Sequence, residues 1–281
     1  MLGGIIMSGN IIWQSMSLDY FYQLVTEDKL KLPLKHLKLY GIEERRQYSE
    51  IIDKIRDIMD KKLFFDREEI GKMSNKLRMW FSNIDLCTYI SCFYDVHEPS
   101  ANLLKQFGGN IGVSVGFDKN IVCEAVNTRY EADKLDSIWR KENVKYISYT
   151  YDKVAIKDKL INFTKLFLKR EEFPDIIKLR DLVVEFLFQK SANYTDEQEF
   201  RIVYGINPKC TCTAALEHLD LRPEAIKKIA IFAGRESMTY FIKFLSQQSK
   251  KYSFTEDGPS EGHPLKMYTV KIKDNNEDLS Y

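Results

Sequence analysis

The chain has 281 residues, 44% apolar and 30% charged, with 42 Lys and Arg set against 41 Asp and Glu. That length suits one large domain or two small ones, and the balanced charge removes any global pull toward nucleic acid or an anionic membrane surface. Five irregularly spaced cysteines, a start (MLGGIIMSGNIIW) without a basic n-region, and the lack of any run near ~18 apolar residues predict a cytoplasmic chain with reduced thiols, no secretory signal and no membrane span.

IIWQSM opens the readable pattern as a short apolar strand, and Ser17 is placed to cap a helix on which Leu18, Phe21, Tyr22 and Val25 repeat at helical spacing. KLKLPLKHLKLYG alternates Leu with Lys or His, the mark of a strand with one wet face, and Pro33 assigns it to a sheet edge. Between 42 and 62, Ile51, Ile52, Ile55, Ile58 and Met59 form a helical stripe. A second helix is expected over 66–81, with Asp66 and Glu69 at capping-box spacing. Together 42–81 is the candidate helical insertion in an otherwise single domain spanning 1–281.

TYISCFY, β-branched and aromatic, reads as a buried strand. A loop follows at 97–100, then helical turns at 101–107, a Gly108-Gly109-Asn110 turn and the strand IGVSVGF. VKYISYTY predicts another strand. Helices are expected over 152–170 and 174–190, the latter with Leu179, Val183, Phe186 and Leu187 on its buried side. FRIVYG is a strand ending at Gly205, and Pro223 opens a helical turn before the strand KKIAIFAG. Residues 236–248 form an amphipathic helix through Met238, Phe241, Ile242 and Leu245, 255–264 is a loop, and LKMYTVKI is a closing strand. Strands and helices intermix without regular βαβ alternation. The expected class is therefore α+β, a single compact domain with a mixed or mainly antiparallel central sheet flanked by helices.

Few motifs carry chemistry. No GxxxxGK[ST] loop or GxSxG elbow occurs, and GGNIGVSVG lacks the strand–GxGxxG–helix setting of a dinucleotide fold. Cys210-Thr-Cys212 with His218 has no evident fourth ligand, so no metal centre is expected. His97 beside Glu98 reads as a solvated loop pair rather than an acid–base dyad. The informative segment is NYTDEQEFRIVY, 193–204. On an extended chain Glu197 and Glu199 point to one side about 7 Å apart, and Arg201 continues that side. Two carboxylates and a guanidinium on one face could stabilise a cationic, oxocarbenium-like centre. A same-face Glu199–Arg201 ion pair on a wet strand, of little energetic weight, accounts for the same pattern.

ISCFYDVHEP, LLKQFGGNIGVSVGFD, YTDEQEFRIVYG and IKKIAIFAGRESMTYFI, in this order, resemble segments of the bacterial family catalogued as domain of unknown function 2971, and IIWQSMSLDYF resembles its opening. The likeness spans most of the chain apart from 42–81. Glu197, Glu199, Phe200 and Arg201 match the family's E-x-E-aromatic-R segment, whereas Leu104 stands in place of a Trp, Phe107 in place of a Tyr and Gln14 in place of a His. The motif order is also similar, more distantly, to ADP-ribosyltransferases, whose split sheet the resemblance would imply here. On that likeness Glu199 would hold a ribose hydroxyl and Glu197 would orient the acceptor. Gln14, Ser17, Arg201 and Tyr194 would bind substrate, and NAD is the implied cofactor. Gln14 is a poorer phosphate anchor than Arg.

Three readings follow: an ADP-ribosyltransferase-like enzyme, of a toxin or phage-defence kind; a binding or sensing module that keeps the fold without NAD chemistry; and another glycosyl- or nucleotide-processing enzyme using the same carboxylates. The expected partner is a nucleotide or a protein, with nucleic acid not indicated by the net charge. The first reading requires Glu199, Gln14 and Ser17 to meet in one cleft.

Overall fold

The computed structural model describes residues 10–27, 30–33, 35–36, 88–100, 113–133, 138–143, 145–147, 187–191, 195, 198–205, 218–232, 237–257 and 265–273, with isolated helical positions at 68, 71, 72, 75 and 79. The expected helices at 42–62 and 152–170, the turns at 101–110, and the end of VKYISYTY lie outside the described residues.

The described chain is α+β around one large antiparallel sheet. Its strands are β1 (Ile11–Met16), β3 (Lys35–His36), β4 (Thr88–Tyr94), β5 (Val113–Asp118), β6 (Ile138–Asn143), β9 (Glu199–Gly205), β11 (Ile226–Phe232), β12 (Tyr252–Glu256) and β13 (Leu265–Ile272). They lie in the order β12-β13-β11-β5-β1-β4-β9-β6, with β3 also on β4, and every pairing is antiparallel. Two small sheets stand apart from it: β2 (Leu30–Pro33) with β10 (His218–Leu221), and the parallel pair β7 (Lys145–Ile147) and β8 (Gln189–Ser191). Three helices complete the described fold: α1 (Leu18–Thr26), α2 (Lys119–Asp133) and α3 (Ser237–Gln248). Among the described residues no helix is long and apolar enough to cross a membrane.

Register assigns each strand residue to one of two sheet faces, because directly opposed residues project to the same side. Gln14 opposes Val115, Phe93 opposes Phe200, and Ile229 opposes Val115, so Ile12, Val115, Phe93, Phe200 and Ile229 share one face. That face is the main core, closed by Phe21, Leu24 and Val25 of α1, Val122 and Val126 of α2, and Ile242 and Leu245 of α3. Phe93 sits between Phe117 and Phe200, with both ring centroids 6.3 Å away. Such aromatic pairs each add about 0.5–1.5 kcal/mol beyond the area they bury. The other face carries Trp13, Tyr94 and Ala230 as a separate buried cluster. Trp13 opposes Gly116, and a methyl group at Gly116 would come within 3.1 Å of the indole ring, so the ring needs a residue without a side chain beneath it.

Local chemistry explains the element ends. Ser17 caps α1 as expected, its Oγ accepting from Tyr20 N at 3.3 Å. The α1 stripe is rotated from its expected position: Leu24 is buried and Tyr22 is exposed, because α1 packs toward β2 and α3. KLKLPLKH divides into β2 and β3, which join different sheets. The expected helix over 174–190 does not reach its end. Leu187 and Phe188 form a turn and β8 follows, since its pairing with β7 overrides the local periodicity. Among the described side chains of helix α2, Val122, Cys123 and Val126 are the buried ones, too sparse a stripe to announce itself. Asp118 starts it, its Oδ1 accepting from Asn120 N at 2.9 Å. Ser249 ties three elements together, donating to Val25 O at 2.8 Å and accepting from Tyr252 N at 3.0 Å.

Candidate functional site

Strand β9 enters the sheet through a strained residue. Gln198 has φ 40°, in the left-handed region, where a side chain costs energy that the surroundings must offset. Asp95 N donates to Gln198 O at 2.9 Å, and Gln198 N donates to Thr195 O at 3.2 Å. The extended geometry that would align Glu197 with Glu199 is therefore broken at Gln198. Glu197 and Tyr194 themselves lie outside the described residues.

From Glu199 onward the chain is regular strand, and Glu199 and Arg201 share a face as their spacing requires. Their pairing partners on β4 are Tyr94 and Cys92, which places both on the Trp13 side of the sheet. The pair is neither solvated nor open. Arg201 Nε donates to Glu199 Oε1 at 2.7 Å and Nη2 donates to Oε2 at 2.9 Å, a two-pronged clamp, while Nη1 donates to the Leu187 carbonyl at 2.5 Å. The side chains are 5% and 3% exposed. The expectation of a wet-strand ion pair is thus corrected to a buried one, and the energetics change with it. Desolvating two charges costs several kcal/mol each, repaid only by geometry as complete as this.

Gln14 faces the other way. It opposes Val115 and donates from Nε2 to Ser91 Oγ at 3.0 Å, both on the main-core side. Its Oε1 is buried without a hydrogen-bond partner. The sheet itself stands between this amide and the Glu199 carboxylate. Ser17 is exposed, and its hydroxyl is engaged in capping α1. The cleft in which Glu199, Gln14 and Ser17 would meet is not formed.

Two groupings escape a reading of the sequence. At the end of β4, the nearly buried Asp95 carboxylate accepts from Lys119 Nζ at 2.8 Å, and that ammonium lies 4.2 Å from the centroid of the Phe200 ring. The adjacent Asp118-Lys119 at the head of a helix is the signal that could have found it. The second grouping is a cavity of about 400 Å³ between α2 and β10. Ile121, Ala125 and Leu219 floor it, and Glu124, Arg129, His218, Asp220 and Arg222 rim it. Arg222 Nη2 donates to Glu124 Oε2 at 2.6 Å across one end, and His218 Nε2 lies 3.9 Å from Asp220 Oδ1. Positions 121, 124, 125, 128 and 129 form one face of α2, but only Ile121 and Ala125 on it are apolar, so the face carries no hydrophobic signal in the sequence.

His97 and Glu98 are an exposed pair 3.9 Å apart, in keeping with a solvated loop. Cys210 and Cys212 lie outside the described residues, and no metal-binding cluster of His, Cys, Asp or Glu occurs among the described ones. Burial raises the hydroxyl pKa of Tyr20 and of Tyr252 well above the ordinary tyrosine range, with Glu27 and Glu224 respectively adding to the shift. Both are structural donors, Tyr20 to Lys31 O at 2.7 Å and Tyr252 to Pro223 O at 3.1 Å. Comparison with protein-family models, curated proteins and solved structures finds no match to the chain.

Proposed function

We propose that this chain is a binding or sensing module that uses the α+β sheet as a scaffold without NAD chemistry. The observation that supports this most is the state of Glu199. Both carboxylate oxygens are taken by Arg201 in a buried clamp, and the first-strand Gln14 projects from the opposite face of the sheet. A transferase of the kind implied by the resemblance needs a carboxylate free to take a sugar hydroxyl, within reach of the first-strand anchor in one cleft.

Calorimetric titration with NAD, run beside an assay for released nicotinamide, tests the reading. The expected result is neither heat nor nicotinamide. Nicotinamide release by the native chain that disappears in a folded Glu199→Gln variant would establish the transferase instead.

A further inference from the structure

We propose that the cavity between α2 and β10 receives an extended peptide from a partner protein, added as a third strand to the β2–β10 sheet. This rests on the binding-module reading and names that module's partner.

The cavity runs along a strand edge. It touches His218, Leu219 and Asp220 in succession, and consecutive strand residues point to opposite faces, so a cavity that meets all three lies beside the backbone. No β2 residue lines it, so it lies on the side of β10 away from the β2 ladder. Among the described residues no strand pairs with that edge. Unpaired strand N–H and C=O groups next to a helix-walled groove are the setting for β-strand addition, in which the main chain supplies affinity and alternate side chains supply selectivity.

The two sides of the groove define the peptide. Leu219 is buried and packs with the half-buried Ile121 and Ala125, so peptide residues on that side are small and apolar. On the outer side His218, Asp220 and Arg222 alternate base, acid, base at successive same-face positions, all exposed. An antiparallel partner strand complements them with acid, base, acid separated by apolar residues. Arg222 spends one N–H on Glu124 and, with a five-donor fork, has others for a peptide carboxylate.

The probe is fluorescein-Glu-Val-Lys-Val-Glu-amide, labelled through its N-terminal amine and read by anisotropy against the full chain, with a second peptide carrying Glu in place of Lys. The lysine peptide should bind about two- to five-fold more tightly, the upper part of the range expected of one cross-strand charge pair. Asp220→Lys, at an exposed position, should reverse the preference. Of two backbone-methylated forms, one methylated at the valines and one at the charged residues, one should bind and the other fail, because only alternate N–H groups face β10. Absence of binding, equal binding of both peptides, or binding of both methylated forms would overturn the proposal. So would self-association of the chain abolished by Asp220→Lys without peptide binding, which would make a second copy the occupant. Failure here with no response to NAD leaves the binding-module reading standing; peptide binding together with NAD turnover removes that reading and keeps the groove.

Discussion

Arg201→Met removes a guanidinium that holds both Glu199 oxygens and the Leu187 carbonyl, and leaves a carboxylate in a setting where its side chain is 5% exposed. Breaking a buried pair by deleting one member costs about 3–5 kcal/mol, since the surviving charge keeps its desolvation penalty and loses its compensation. For a chain of this size, with roughly 2–4 °C of melting temperature per kcal/mol, the expected drop is about 6–20 °C. Glu199→Leu should cost a similar amount from the other side, since it leaves the buried guanidinium unpaired. The double replacement Glu199→Leu, Arg201→Met removes both charges and should recover most of the loss, because an apolar pair of similar volume carries no desolvation debt. The assay is urea unfolding by circular dichroism on all four proteins, arranged as a double-mutant cycle. Single variants that lose less than about 1 kcal/mol, the range of exposed pairs, would refute the assignment of this pair as a buried structural clamp. A double variant as unstable as the sum of the singles would refute the charge-compensation argument.

Two more outcomes follow from packing and titration. Gly116→Ala would bring its methyl to 2.9 Å from Ile11 Cγ2 and 3.1 Å from the Trp13 ring, so unfolding experiments should show a loss of about 1–3 kcal/mol, with Trp13 fluorescence shifted. The Tyr20 and Tyr252 hydroxyls are held neutral in the folded state by burial, with neighbouring carboxylates contributing, whereas in the unfolded chain they ionise near about 10. Their contribution is present below that pH and is lost as pH rises toward the higher folded values, since the unfolded state then gives up protons that the folded state retains. A Tyr20→Phe, Tyr252→Phe variant should show a shallower fall in stability between pH 9.5 and 11.5, compared as urea midpoints.

Particular residues mark how far the sequence could be read. The strands at 88–94, 199–205, 226–232 and 265–272 were legible because β-branched and aromatic residues crowd them, and Ser17 was legible as a cap because its chemistry acts over a single turn. Strand β10 and helix α2 were not, since HLDL is too short for its alternation to stand out and the described side chains of α2 bury only one narrow stripe.

The candidate site divides in the same way. Residue types and spacing were enough to place Glu199 and Arg201 on one side of one strand, because the two-residue period is a property of the backbone. Whether that side is wet or covered, and whether it is the side from which Gln14 projects, depends on pairing register across β1, β4 and β9 and on what packs above them. A shift of one residue would have exchanged the faces. Periodicity within a strand orders its own side chains but says nothing about which faces of separate strands coincide, and that relation is made only when the sheet assembles.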